Sequence, residues 1–168
     1  SVALSPLLLG SKPGLWRSSR QEDFLKGTFK GVALTSDGRL VQAPEIKLVF
    51  DTTQPFIYSL QVDQLGNVLA GTGSEGKLYR VTADGQGSEV ADFEQPGVHA
   101  LAVSPGGEIL AGTAPDGKVY RIQADGSVST FFDPGEKYIW DLALNPGGTL
   151  FVATGPNGKI FKVDEQGR

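Results

Sequence analysis

Cysteine and methionine are absent from the 168 residues, and histidine occurs once. Without cysteine there is no disulfide, no thiolate metal site and no cysteine nucleophile. No run of 18 apolar residues exists, so no segment is suited to cross a membrane as a helix. No basic block exists either. The densest positive stretch is WRSSR at 16–20, and the formal net charge is −4. Binding driven by phosphate neutralisation is excluded as a leading function, and so is an anionic membrane surface. The chain opens on SVALSPLLLG rather than on Met. That segment reads either as the tail of a processed secretion signal, making the protein secreted or periplasmic, or as an arbitrary boundary in a cytoplasmic chain.

What is abundant is glycine, 23 residues of 168, about twice the usual share. The glycines are spaced between apolar runs, as turn residues are. Apolar residues make up 39% and charged residues 20%, which suits one globular domain with its own core.

The glycines mark a repeat. LAGTGSEGKLYRV at 69–81 returns as LAGTAPDGKVYRI at 110–122 and as FVATGPNGKIFKV at 151–163. Lys77, Lys118 and Lys159 are 41 residues apart, as are Thr72, Thr113 and Thr154. Leu60, Leu101 and Leu142 keep that spacing, and so do Tyr58, His99 and Trp140. Each copy holds four short runs of strand-favouring residues. In the middle copy these are VHALAV, EILAGT, KVYRI and SVSTFF, broken by SPGG, APDG, ADG and DPGEK. Asp-Gly and Asn-Gly favour tight hairpins. Four antiparallel strands every 41 residues is the pattern of a β-propeller blade, so the expected fold is all-β. Strand residues are apolar or small at successive positions, as expected when both faces of a blade are covered. Simple alternation points Leu60, Leu101 and Leu142 one way, with the Tyr58, His99 and Trp140 series beside them. Ser59, Ala100 and Asp141 then point the other way.

These blades, quoted as GNVLAGTGSEGKLYRVTADG and PGGTLFVATGPNGKIFKVDEQG, resemble those of NHL-type propellers, regucalcin/gluconolactonase-type propellers and virginiamycin B lyase. The resemblance covers roughly residues 29–168. It implies the fold without choosing among the families.

The expected organisation is an N-terminal extension at 1–28, with degenerate strands at LWRSS and DFLKGT. A partial blade follows at 29–56, in which FKGVALTSDG and IKLVFD supply the two outer strands. Full blades occupy 57–97 and 98–138. A blade at 139–168 stops before its outer strand. That makes about three and a half blades, fewer than a closed ring needs. Three arrangements follow: a piece of a longer protein, a fourth blade built by 11–28, or completion by a second copy in a two-fold dimer. The expected partners are thus the chain itself and an unknown small molecule or protein.

The expected site lies where the innermost strands begin. Tyr58, His99 and Trp140 form part of a ring near one mouth of the channel, with Asp141 beside them. The resemblance to lactonases implies a divalent metal on inner-strand carboxylates and amides. Here Asp141 stands alone, with Ser59 and Ala100 at the equivalent positions, so no metal and no cofactor is expected. The lyase resemblance implies a catalytic histidine with an acid nearby. Glu94 and Glu136 lie in loops at that end without a pairing spacing, and no catalytic residue is assigned. The expected function is a non-catalytic binding or protein-interaction module, or an excised fragment that assembles. The alternative is a lactonase- or lyase-like enzyme with its site at the channel mouth.

Overall fold

The computed structural model describes residues 22–23, 26–28 and 30–168. Among them are thirteen strands, and helical backbone occurs only at Glu22 and Asp23. The chain divides into two units, Ser1–Lys47 and Leu48–Arg168.

In the first unit, β1 (Val32–Leu34) pairs antiparallel with β2 (Leu40–Gln42). The turn between them is closed by Thr35 N donating to Arg39 O at 2.8 Å and Gly38 N donating to Thr35 O at 2.9 Å. Thr82 N and Gly85 N make the matching bonds to Gln86 O and Thr82 O, both at 2.9 Å. The likeness of TSDG to TADG is therefore a likeness of turns. The partner strand, however, is not the expected IKLVFD. Residues 46–51 carry no strand. Leu40–Gln42 follows the tight turn directly, and a short hairpin costs less closure entropy than a long connection. LWRSS lies outside the described residues. The described residues of DFLKGT, 23 and 26–28, have no strand backbone.

The second unit carries three antiparallel meanders in sequence. The first is β3 (Phe56–Val62), β4 (Val68–Gly73), β5 (Lys77–Val81) and β6 (Gly87–Asp92). The second is β7 (Gly97–Val103), β8 (Ile109–Ala114), β9 (Gly117–Ile122) and β10 (Val128–Glu136). The third has three strands, β11 (Tyr138–Leu144), β12 (Leu150–Gly155) and β13 (Ile160–Val163). The first strands of the three sheets, β3, β7 and β11, pack side by side.

Two cores lie between the sheets. Leu69 and Leu78 of the first sheet meet Val98, Leu101, Ile109, Ala111 and Ile122 of the second. Ala100, Ala102, Leu110 and Val119 of the second meet Ile139, Leu142, Leu150, Val152 and Val163 of the third. Each joint thus sets a face of bulky residues against a face with small ones. The fit is tight: a Cβ added to Gly112 would stand 2.5 Å from Ile139 Cγ2. Ser59 Oγ adds a bond across the first joint, donating to Val98 O at 2.9 Å.

The repeated threonines hold the next turn. Thr72 Oγ1 donates to Lys77 O at 2.9 Å and accepts from Lys77 N at 3.0 Å. Thr113 and Thr154 bond Lys118 O and Lys159 O, both at 3.2 Å. The threonines are buried, and their hydroxyls find backbone partners across the turn.

Candidate functional site

Each innermost strand contains a β-bulge at the same place. Pairing passes from Ile57 to Ser59, from Val98 to Ala100 and from Ile139 to Asp141. The residues left out of the ladder are Tyr58, His99 and Trp140. A bulge re-aims the side chain of its extra residue. The expectation that these side chains share the face of Leu60, Leu101 and Leu142 is therefore corrected. Leu101 and Leu142 face the preceding sheet and Leu60, at the same position of the first sheet, is exposed, while the bulge residues leave that face.

Freed from the ladder, the rings meet one another. Tyr58 stacks on His99 with centroids 4.5 Å apart, and Trp140 meets His99 edge-on at 5.5 Å. Tyr138 stacks on Trp140 at 4.9 Å, and Phe56 on Tyr58 at 5.8 Å. The result is a row of five rings across three sheets. Phe56 and Tyr138 occupy one repeat position, two residues before the bulge. In the middle sheet that position is Gly97. The His99 imidazole lies over Gly97, 2.7 Å from where a Cβ would stand, and a hollow of about 200 Å³ beside it is lined by Tyr58, Gly97, His99, Pro115 and Tyr138, among others. The sequence reading missed Phe56 and Tyr138. The F-x-Y and Y-x-W pairs were the available signal.

Burial among these rings lowers the His99 pKa from its ordinary 6.5. Desolvation disfavours the imidazolium, so His99 is neutral at physiological pH. Its ring contacts are Tyr58 and Trp140. Asp141 is not part of the row. It pairs with Ala153, is exposed, and accepts a bond from Leu142 N at 2.9 Å. It holds the position of Ser59 and Ala100, which face the following sheet. Among the described residues, no three His, Asp or Glu side chains come together as a metal site would require.

Glu136 does have a role, but a structural one. Its carboxylate accepts from Lys159 Nζ at 2.6 Å and from Asn157 Nδ2 at 2.9 Å, tying the crossover before the third sheet to that sheet's turn. Gln54 makes the same tie two repeats earlier, donating to Glu75 Oε2 at 2.9 Å. The Lys159 ammonium, helped by Asn157, holds the Glu136 pKa below the ordinary 4.5 against the opposing effect of burial. The unfolded state then binds more protons than the folded one just below pH 4.5, so this contribution is lost as pH falls through that region. Glu136→Gln is expected to flatten the acid limb of stability below pH 4.5. Urea midpoints across a pH series check this, and an unchanged acid limb would contradict it.

No family model and no curated protein matches the sequence. Solved structures do share the fold. Regucalcin, a calcium-binding protein from Agrobacterium tumefaciens, aligns with a TM-score of 0.58 at 16% identity, over 66% of this chain and 42% of its own. A streptogramin B lyase aligns at 0.56 with 19% identity, over 79% of this chain and 47% of its own. The virginiamycin B lyase of Staphylococcus aureus aligns at 0.53 with 18% identity, over 79% and 47%. The chain thus spans less than half the length of these structures. They place the three sheets in the β-propeller class, as blades of a partial propeller.

Proposed function

We propose that this chain is a ligand-binding propeller module whose site is the ring-lined hollow at the start of the innermost strands. The observation that carries the reading is the repeated bulge. It takes Tyr58, His99 and Trp140 off the packed face at the same strand position in three sheets and joins them in one row. Aromatic faces with a neutral imidazole between them suit an uncharged ligand bearing a flat ring. The hollow accommodates one such ring system.

A second copy of the chain closes the mouth in this reading. The first sheet carries Ile57, Leu60, Val68, Ala70 and Val81 at the repeat positions of Val98, Leu101, Ile109, Ala111 and Ile122. The latter set is buried against a neighbouring sheet. The former lines an apolar hollow of about 230 Å³ together with Val49 and Phe50; Ala70 and Val81 are buried there, and Leu60 is 66% exposed.

Dihydrocoumarin separates binding from catalysis, because it is both a flat aromatic ring and a lactone. Calorimetry is expected to give saturable binding to the wild type, weakened at least roughly tenfold by Tyr138→Ala. Ring opening is expected to stay at the buffer rate. Ring opening above that rate, abolished by His99→Ala, would establish the lactonase- or lyase-like reading instead. Absence of binding and of turnover would defeat both.

A further inference from the structure

The opposite ends of the innermost strands carry a second hollow. At the joint between the first two sheets, Gln64 acts as a plug. Its Nε2 donates to Ser104 O at 3.0 Å and to Pro105 O at 2.8 Å. One repeat on, the Gln64 position is Pro105 itself, whose side chain has no donor. The joint between the second and third sheets therefore has no plug, and a hollow of about 560 Å³ lies there. Its apolar wall includes Leu110, Phe131 and Leu150, and Glu108 and Glu165 also line it.

Of the acceptors of the plugged joint, the one at Pro105 recurs in the lining of the open joint as Pro146. Asn145 O and Pro146 O correspond to Ser104 O and Pro105 O. Asn145 O accepts from Gly148 N at 3.0 Å, just as Ser104 O accepts from Gly107 N at 2.9 Å. Pro146 O accepts no hydrogen bond from the described residues. Arg121, the cation among the lining residues, is engaged except at its buried Nε, which makes no hydrogen bond. Its Nη2 donates to Glu165 O at 3.0 Å, its buried Nε lies 3.8 Å from Glu108 Oε2, and its guanidinium covers the Phe131 ring at 4.1 Å. Two carboxylates against one guanidinium leave the hollow with a negative balance, which favours a cation.

We propose that this hollow binds a small primary ammonium compound with an apolar body. The ammonium takes the place of the Gln64 amide, donating to the Pro146 carbonyl near Glu108 and Glu165. The body rests on Leu110, Phe131 and Leu150. The internal template is Gln64: the same fold, one repeat earlier, fills the equivalent place with an N–H donor. This site is independent of the ring-lined mouth.

The probe is benzylamine, with benzyl alcohol and benzoate as its neutral and anionic counterparts. Benzylamine is expected to saturate, with the other two binding at least roughly tenfold more weakly. Pro105→Gln restores the plug in a turn where the first sheet already tolerates glutamine. It is expected to lose benzylamine by at least roughly tenfold with its urea midpoint unchanged. Glu108→Gln is a second variant, expected to weaken benzylamine but not benzyl alcohol. Any of four results would overturn the proposal: no saturation by benzylamine, benzoate or benzyl alcohol binding as tightly, a folded Pro105→Gln variant that keeps its affinity, or a Glu108→Gln variant that does.

Discussion

Gly76→Ala is expected to unfold at a much lower urea concentration than Gly158→Ala, although the two glycines hold one repeat position. Both have positive φ, 65° and 61°. Left-handed backbone at a residue with a Cβ costs about 1–2 kcal/mol, and both variants bear that cost. They differ in their surroundings. A Cβ at Gly76 would lie 2.0 Å from Gln95 O and 2.9 Å from Phe93 O, backbone atoms of the crossover into the second sheet. At Gly158 it meets nothing within 4 Å. Forcing extra volume into a packed site costs about 1–3 kcal/mol more. The crossover is held there by Gly76 N donating to Pro96 O and Phe93 N donating to Gly76 O, both at 3.0 Å. Relief of the overlap would break these bonds. Urea midpoints at equal slope measure the difference. Equal losses in the two variants would show that the crossover does not press on the turn.

The second large effect concerns one leucine in three settings. Leu101 and Leu142 are each 6% exposed in the joints, and Leu60, one or two repeats earlier, is 66% exposed. Leu101→Ala and Leu142→Ala are expected to cost about 2–5 kcal/mol each. Leu60→Ala in a single chain is expected to change stability by less than about 0.5 kcal/mol. In the proposed assembly Leu60 is covered, and a charge there cannot be buried cheaply. Leu60→Asp is then expected to halve the native mass seen by light scattering. A wild type that runs as a single chain at all working concentrations would remove the second copy from the proposal.

Much of the fold was legible because its signals are local. The 41-residue spacing of Lys77, Lys118 and Lys159 and the Asp-Gly turns mark the hairpins without knowledge of any partner strand. The pairing of small with bulky faces could also be read, since Ala100 and Ala102 stand at the positions of Ser59 and Gln61 in the repeat. The bulges at Tyr58, His99 and Trp140 could not. A bulge is a property of two strands, and a period-two reading of one strand sets His99 on the face of Leu101. That reading hid the feature that takes the rings off the packed face. Asp141 misled in another way: alternation already pointed it away from Trp140 with Ser59 and Ala100, and only nearness in sequence placed it in the site. The IKLVFD segment failed differently. Its residues favour strands, but the tight TSDG turn had already supplied β1 with the adjacent Leu40–Gln42. The Gln64 plug and the Gln54–Glu75 tie were invisible because each joins segments distant in sequence, Gln64 between two sheets and Gln54 to the turn of its own sheet.

The ring-lined mouth is tested most directly by mapping where dihydrocoumarin lands. NMR titration follows the His99 ring protons, the Trp140 indole N–H and the Tyr138 ring alongside Glu108 and Gly148 at the far strand ends. Saturable shifts confined to His99, Trp140, Tyr138 and Tyr58 are the expected result. Shifts at Glu108 and Gly148 with the four rings unmoved would contradict the assignment, as would no saturable shift at all.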